Sequence, residues 1–250
     1  MAEPDPVYRL LGPVEVRVGE GRQPLKGGKP RIVLAALLLR ANRVVSLDTL
    51  SEALWDGEPP RSALPNLRSY VHQLRRSLCA ATSLIGHPGG YELRLTRQDS
   101  DHLLFAEFAR QGREVLASNP LRAVLLLRRA LELWRSEQAA AGLARRGILD
   151  QELAILDGER LRVLEDVATA WFALGEPRQA LDSAWRVVSN DPLRVRAWEV
   201  VLRAHHRLGE PGRLTESYQM ARVAFREELG RDPDEGLSLL HERLLARRAG

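Results

Sequence analysis

Cysteine and lysine are scarce in this chain. Cys79 is the only cysteine among 250 residues, which excludes an internal disulfide and fits a reducing compartment. Lysine occurs only as Lys26 and Lys29, so arginine carries nearly all of the positive charge. The planar guanidinium group of arginine is suited to bidentate contacts with phosphates and guanine bases. The composition therefore supplies the donors that a nucleic-acid partner would need.

Long apolar segments are also absent. No run of about 18 apolar residues, the length that crosses a bilayer as a helix, occurs in the sequence. The densest apolar stretch, LAALLLRAN, is short and is interrupted by Arg40. No secretory signal is recognisable at the N-terminus. We therefore expect a cytoplasmic protein without a membrane partner.

Residue patterns typical of catalytic and metal sites are missing as well. The segment KGGKPR contains glycine and lysine but lacks the G-x-x-x-x-G-K-[ST] order that cradles phosphates. The histidines are scattered, and the adjacent His205 and His206 point to different faces of a helix, which does not suit a shared metal. Cys79 has no recognisable base partner. We expect neither an enzymatic activity nor a cofactor or metal.

Charge divides the chain into two parts. Residues 1–97 contain 14 Lys and Arg against 9 Asp and Glu, a net charge of +5, whereas the remaining residues contain 23 against 24, a net charge of −1. Acidic residues are absent from 21–47 and from 59–91. The distribution predicts a basic domain over residues 1–98, which would bind a polyanion, and a near-neutral domain over residues 99–250.

The basic part has the pattern of a winged helix. In order, it predicts short antiparallel strands in VYRLLGPVEVRV, a buried helix in PRIVLAALLLRAN, a second helix capped by Ser46, a third helix in LPNLRSYVHQLRRSL and a hairpin in LIGHPGGYELRL. Sheet, three helices and hairpin is the order of the winged-helix variant of the helix-turn-helix. In that fold the third helix enters the major groove of DNA and the hairpin wing contacts the backbone or the minor groove.

The third predicted helix is amphipathic. At 100° per residue its apolar stripe consists of Leu67, Val71, Leu74 and Leu78. The opposite face carries Arg68, Ser69, His72, Gln73, Arg75 and Arg76. A solvated basic face on an ordinary surface helix would give the same pattern, but its place in the winged-helix order favours contact with DNA.

Specific roles can be assigned on this face. We expect Arg68, His72 and Arg75, with Gln73 in a secondary role, to read base edges, because arginine pairs with guanine and glutamine with adenine. Phosphate contacts and the wing are assigned to Arg43, Arg61, Ser69, Arg76 and His87. Neutralised phosphates would make the affinity fall steeply with salt.

From about residue 101 the pattern changes to long helices without strands. The segment LGEP occurs at 174–177 and again at 208–211, a period of 34 residues. That period is typical of tetratricopeptide repeats, in which stacked helix pairs bury a shared core. The predicted fold is therefore an α+β winged helix followed by an all-α, tetratricopeptide-like helical domain.

Several segments resemble one protein family. LLGPVEV, LRSYVHQLRR and PGGYEL resemble the DNA-binding domain of the Streptomyces antibiotic regulatory proteins. FAEFARQGREVL, LEDVATAWFALGE and REELGRDPDEGLSLLHERLL resemble the bacterial transcriptional activator domain that follows it. The resemblance implies a transcription activator of a pathway, such as antibiotic biosynthesis. It implies binding to direct repeats near the −35 element and recruitment of RNA polymerase holoenzyme.

The resemblance also implies two protein contacts. In winged-helix activators of this type the loop between the second and third helices faces the polymerase, and here that loop contains Asp56 and Glu58. These acids could meet the sigma factor, with the alpha and beta subunits as further candidates, or form a plain acidic turn. Tandem direct repeats would bring a second protomer alongside the first, in head-to-tail order.

Two other functions stay open from the sequence. A tetratricopeptide-type adaptor, with a basic domain that serves only solubility, would bind a protein tightly and show no sequence preference on DNA. A repressor could use the same fold, because binding to a promoter does not determine the sign of the effect. The sequence names neither the operator nor an effector.

Overall fold

The structure is a computed structural model that describes residues 6–18, 21–25, 27–77 and 84–246. Leu78, which the sequence places in the apolar stripe, and Cys79 lie outside the described residues. The chain forms two compact units, Met1–Glu107 with Glu132–Glu159, and Phe108–Leu131 with Arg160–Gly250. These units divide the chain by spatial proximity. The division of the sequence into domains at residues 98 and 99 stays a prediction.

The first unit opens with two small antiparallel sheets and three helices. Its elements are β1 (Tyr8–Arg9), β2 (Glu15–Val18), β3 (Gly21–Pro24), α1 (Gly28–Leu39), β4 (Val44–Ser46), α2 (Leu47–Trp55), α3 (Ala63–Ser77), β5 (Leu84–His87) and β6 (Gly90–Leu93). The first sheet has the order β1-β2-β3 and the second the order β4-β6-β5. This arrangement confirms the predicted winged helix.

Helix α1 forms the centre of the core of the first unit. Every residue from Ile32 to Leu38 is buried, as expected for a helix that is apolar on all sides. The next helix, α2, begins where Ser46 accepts a hydrogen bond from the Thr49 amide at 3.0 Å. The predicted cap is therefore confirmed, and it satisfies one of the amides that the first turn leaves unpaired.

The remaining helices follow without further strands in the described part of the chain. They are α4 (Asp101–Val115), α5 (Pro120–Glu132), α6 (Gly147–Ala173), α7 (Pro177–Asn190), α8 (Val195–Leu208), α9 (Pro211–Leu229) and α10 (Glu235–Ala246). None of the helices in the described ranges is long and apolar enough to cross a membrane.

The two LGEP segments occupy equivalent turns in the second unit. Gly175 and Gly209 adopt left-handed backbone angles, with φ of 81° and 71°, a conformation that glycine adopts without steric cost. Pro177 and Pro211 then open α7 and α9, where a missing amide hydrogen does no harm. Trp198 on α8 is buried and its Nε1 donates to the Pro192 carbonyl at 2.8 Å. The predicted helix-pair repeat is confirmed.

A buried carboxylate fastens the N-terminal sheet to α4. The two oxygens of Asp101 accept hydrogen bonds from the amides of Leu10 and Leu11 at 2.7 and 3.0 Å. Arg135 lies nearby and pairs with Glu15 at 2.9 Å. Burial outweighs these contacts and raises the pKa of Asp101 from 3.8 to about 6, since a charged carboxylate is disfavoured away from water.

Asp101 makes the stability of the protein depend on pH. Because its pKa is higher in the folded state, the folded protein binds more protons between about pH 4 and 6, and the free energy of unfolding falls as the pH rises through that range. The expected loss is roughly 3 kcal/mol at most, from about two units of pKa. Burial lowers the pKa of the adjacent His102 to about 4 and acts in the opposite direction, so urea unfolding should give a more negative dependence of the free energy of unfolding on pH in the wild type than in Asp101→Asn. Equal slopes for both proteins would contradict the assignment.

Candidate nucleic-acid interface

Helix α3 docks on the core by one side only. Leu67, Val71 and Leu74 are 1%, 1% and 0% exposed, and they pack into the core that α1 and α2 share. Pro65 lies in the first turn, where proline does not interrupt the hydrogen bonds of a helix. The predicted amphipathic helix is confirmed for the residues that the structure describes.

The outer face of α3 is polar and open to solvent. Arg68, Ser69, His72, Gln73 and Arg76 are all exposed. The first turn of α3 contains no acidic residue. The exposed face of α3 thus presents guanidinium, hydroxyl, amide and imidazole groups, and no residue of the helix is acidic.

Arg75 differs from the other predicted base readers. Its side chain is half-buried, and its Nε and Nη2 atoms donate to the Leu84 carbonyl at 3.4 and 3.3 Å. Its guanidinium carbon lies 5.9 Å from the ring centre of Tyr91, within the range of a cation–π contact. Since Leu84 and Tyr91 belong to β5 and β6, Arg75 connects α3 to the wing.

The wing is a hairpin held against β4. Strands β5 and β6 pair from Leu84–Leu93 to His87–Gly90, and Gly89 between them has a φ of 84°. The Leu47 amide donates to the Gly89 carbonyl at 2.9 Å. A Cβ atom at Gly90 would collide with the Val45 carbonyl oxygen and lie 2.9 Å from Cγ1 of Val44. Only glycine lets the wing approach β4 this closely.

His87 and its neighbours form a charged cluster on the wing. His87 Nε2 lies 2.8 Å from Glu92 Oε2, and Arg94 Nε lies 2.8 Å from Glu92 Oε1. The hydrogen bond from Arg94, followed by that from His87, lowers the pKa of Glu92. His87 is therefore tied to the strand. Arg94 was not predicted as part of this surface, although strand alternation in YELR places Glu92 and Arg94 on one face.

Arg43 and Arg61 lie in exposed segments outside α3. Arg43 is exposed in the turn between α1 and β4. The preceding Asn42 fixes this turn, because its side chain exchanges hydrogen bonds of 3.0 and 2.8 Å with the carbonyl and amide of Leu95. Arg61 is exposed just before α3. Both side chains are therefore open to solvent.

The acidic loop between α2 and α3 is exposed, and Asp56 has a neighbour that the sequence does not reveal. Asp56 ends α2 in the left-handed conformation with a φ of 53°. A Cβ atom at Gly147 would lie 2.7 Å from its Oδ1 atom. The Asp56 carboxylate is thus close to the first residue of α6, where the helix dipole favours negative charge. Glu58 is exposed.

No group of three or more His, Cys, Asp or Glu within the described ranges is placed to hold a metal ion. The interface offers donors and acceptors on a preformed surface, with a helix and a hairpin held by a common core. This is an arrangement for binding an extended polyanion.

Two family models match most of the chain. The model described as transcriptional regulatory protein, C terminal, matches residues 25–88, the segment from α1 into the wing. The model described as bacterial transcriptional activator domain matches residues 100–245. Together they cover the α3 surface and the helical part of the chain.

Several curated relatives are regulatory proteins of Streptomyces species. The transcriptional regulator RedD of Streptomyces coelicolor is 34% identical over 95% of this chain and 69% of its own length. The regulatory protein DnrI of Streptomyces peucetius is 29% identical over 87% of this chain and 84% of its own. The regulatory protein AfsR of Streptomyces coelicolor is 34% identical over 95% of this chain, which spans only 24% of AfsR.

A solved structure of Mycobacterium tuberculosis EmbR in complex with a low-affinity phosphopeptide has the same fold, with a TM-score of 0.87 and 25% identity. The match covers 96% of this chain and 65% of the EmbR chain. The winged-helix fold, the helices that follow it and the two family models indicate the same family as the curated relatives. The chain belongs to the Streptomyces antibiotic regulatory protein family, whose members are DNA-binding transcriptional regulators.

Proposed function

We propose that this chain activates the genes of a biosynthetic pathway by binding direct repeats near the −35 element and recruiting RNA polymerase holoenzyme. The observation that carries the proposal is the outer face of α3. It is exposed, contains no carboxylate and lies beside a wing that a common core holds in place. A helix of this kind fits the major groove, which is wide enough to admit it.

Base reading is assigned to Arg68, His72 and Gln73, which are exposed on that face. Arginine can form two hydrogen bonds to guanine, and glutamine two to adenine. Arg75 could read a base only if it released the Leu84 carbonyl. We therefore give Arg75 a positioning role in the free protein, in which it fixes the angle between α3 and the wing.

Phosphate contacts are assigned to Arg43, Arg61, Ser69 and Arg76, which are all exposed. His87 and Arg94 extend this surface onto the wing. Such contacts hold the protein in register on the duplex without reading its sequence. They should give the affinity a strong dependence on salt, since each neutralised phosphate releases counterions.

The polymerase contact is assigned to the α2–α3 loop. Glu58 is exposed there, and its carboxylate could meet a basic surface of the sigma factor, or of the alpha or beta subunits. Asp56 would contribute from its place near Gly147. Both acids lie outside the face that would contact DNA.

Removing the two loop charges should separate activation from DNA binding. Asp56→Asn with Glu58→Gln is expected to lower transcription by holoenzyme roughly tenfold, because two charged contacts across an interface are lost. Asparagine also tolerates the left-handed backbone at position 56. Asp182→Asn with Glu137→Gln, exposed acids elsewhere, provides the control. Unchanged transcription with intact DNA binding would contradict the polymerase contact.

The proposal as a whole is tested by recovery of DNA. Purified protein is mixed with sheared GC-rich genomic DNA at roughly physiological salt, and the retained fragments are sequenced. We expect promoter fragments that share a direct repeat upstream of the −10 element. Retention without a shared motif, lost on modest addition of salt, would contradict sequence-specific binding and would favour the adaptor function.

A further inference from the structure

The charged cluster on the wing has a carboxylate at its centre. Residues 59–91 contain no acidic residue, and Glu92 ends that stretch. Its Oε1 atom lies 2.8 Å from Arg94 Nε, and its Oε2 atom lies 2.8 Å from His87 Nε2. Each oxygen of this one carboxylate is therefore paired with a different basic side chain of the wing.

The register of the wing sheet gives this carboxylate apolar neighbours on both sides. Glu92 lies on the central strand β6, directly opposite Val44 on β4 and Ile85 on β5. Its basic partners are displaced along the sheet, because Arg94 follows two residues later on β6 and His87 lies diagonally across on β5. The side chain of Glu92 is only 10% exposed, whereas that of Arg94 is 63% exposed. Arg94 is thus open to a partner in solution, but Glu92 already neutralises its charge.

We propose that Glu92 lowers the affinity of the wing for DNA by holding Arg94 and His87 away from the phosphates. A phosphate oxygen must displace Glu92 before it can pair with Arg94, and the displaced carboxylate then repels the phosphate, since like charges in contact are unfavourable. Phosphate contacts strengthen binding to any sequence alike. Glu92 therefore reduces the part of the affinity that does not depend on sequence. The inference rests on the proposed function, which places the wing against DNA.

Glu92→Gln keeps the shape of the side chain and removes its charge. We expect this variant to bind the recovered repeat and a scrambled duplex more tightly than the wild type, roughly tenfold at about 50 mM salt and roughly threefold at about 200 mM. The gain shrinks because one additional phosphate contact steepens the dependence of log affinity on log salt by about 0.9. Fluorescence anisotropy over this range of salt measures both the affinity and the slope. A purely structural role of Glu92 predicts the opposite sign, since a loosened wing would bind DNA more weakly.

A double variant, Glu92→Gln with Arg94→Ala, shows whether the gain depends on Arg94. It removes both members of the ion pair and should therefore bind with the affinity and the salt dependence of the wild type. Glu107→Gln is the matched control, because Glu107 pairs at 3.5 Å with Arg97, which is 73% exposed and lies between β6 and α4. The control removes the same charge outside the wing and should also bind like the wild type.

The role of Glu92 is overturned if Glu92→Gln binds DNA no more tightly than the wild type, if the double variant keeps the gain, or if Glu107→Gln gives an equal gain. Failure of the proposed function would appear differently, as equal affinities of the wild type for the repeat and for the scrambled duplex. The comparison among the variants can be made on either duplex, so the two failures are distinguishable.

Discussion

Arg68→Ala is expected to weaken binding to the recovered repeat by roughly 10- to 100-fold, about 1–3 kcal/mol, and to relax the preference for one base pair. Arg68 is exposed on the polar face of α3, where a guanidinium group can reach two acceptors of guanine. Fluorescence anisotropy with the repeat and with its single-base variants measures both effects.

Arg76→Ala provides the matched control for Arg68→Ala. Arg76 lies on the same helix and is also exposed, but the proposal assigns it to a phosphate. Its loss should weaken binding to all sequences alike and should reduce the slope of affinity against salt by about one. If Arg68→Ala also weakens all sequences alike, α3 does not read bases through Arg68.

Gly90→Ala is expected to separate the wing from β4. The added methyl group would collide with the Val45 carbonyl oxygen, a backbone atom that cannot turn aside as a side chain can. Overpacking of this kind typically costs 1–3 kcal/mol, and a backbone clash lies at the upper end, so we expect the free energy of unfolding to fall by about 3 kcal/mol. Urea unfolding measures the loss. DNA binding should weaken as well, because the wing would no longer be held beside α3.

Gly86→Ala tests whether any alanine in the wing is harmful. A Cβ atom at Gly86 would lie 3.5 Å from the Arg75 Nη2 atom, which is an ordinary van der Waals distance. We expect little change in stability or in DNA binding. Equal losses for Gly90→Ala and Gly86→Ala would show that the close approach of Gly90 to β4 is not the cause.

Local signals in the sequence were sufficient for most of the fold. The apolar stripe of α3 depends only on residues within that helix, as does the cap at Ser46. The LGEP turns depend on glycine and proline at fixed places. The first unit also contains residues far along the chain, and these were not predicted. Leu149 and Leu153 belong to the core of the first unit. Their local pattern predicts that they are buried but does not show in which of the two cores.

The sequence predicts which face of α3 is exposed, but not which residues the side chains on that face contact. Helical spacing identified the exposed positions of α3, but Arg75 lies at the border of the apolar stripe. Its position there left open whether it faces solvent or the wing. Its bond to Leu84 depends on the path of the hairpin. The proximity of Asp56 to Gly147 likewise depends on tertiary packing, which no local pattern encodes.

The affinity ratio between the recovered repeat and a scrambled duplex of equal length measures whether α3 and the wing recognise a specific sequence. At roughly physiological salt we predict a ratio of about 10³ or more, as for other specific DNA-binding proteins. The ratio should persist when added salt lowers both affinities. A ratio near one would contradict sequence-specific recognition and leave the basic face as an electrostatic patch.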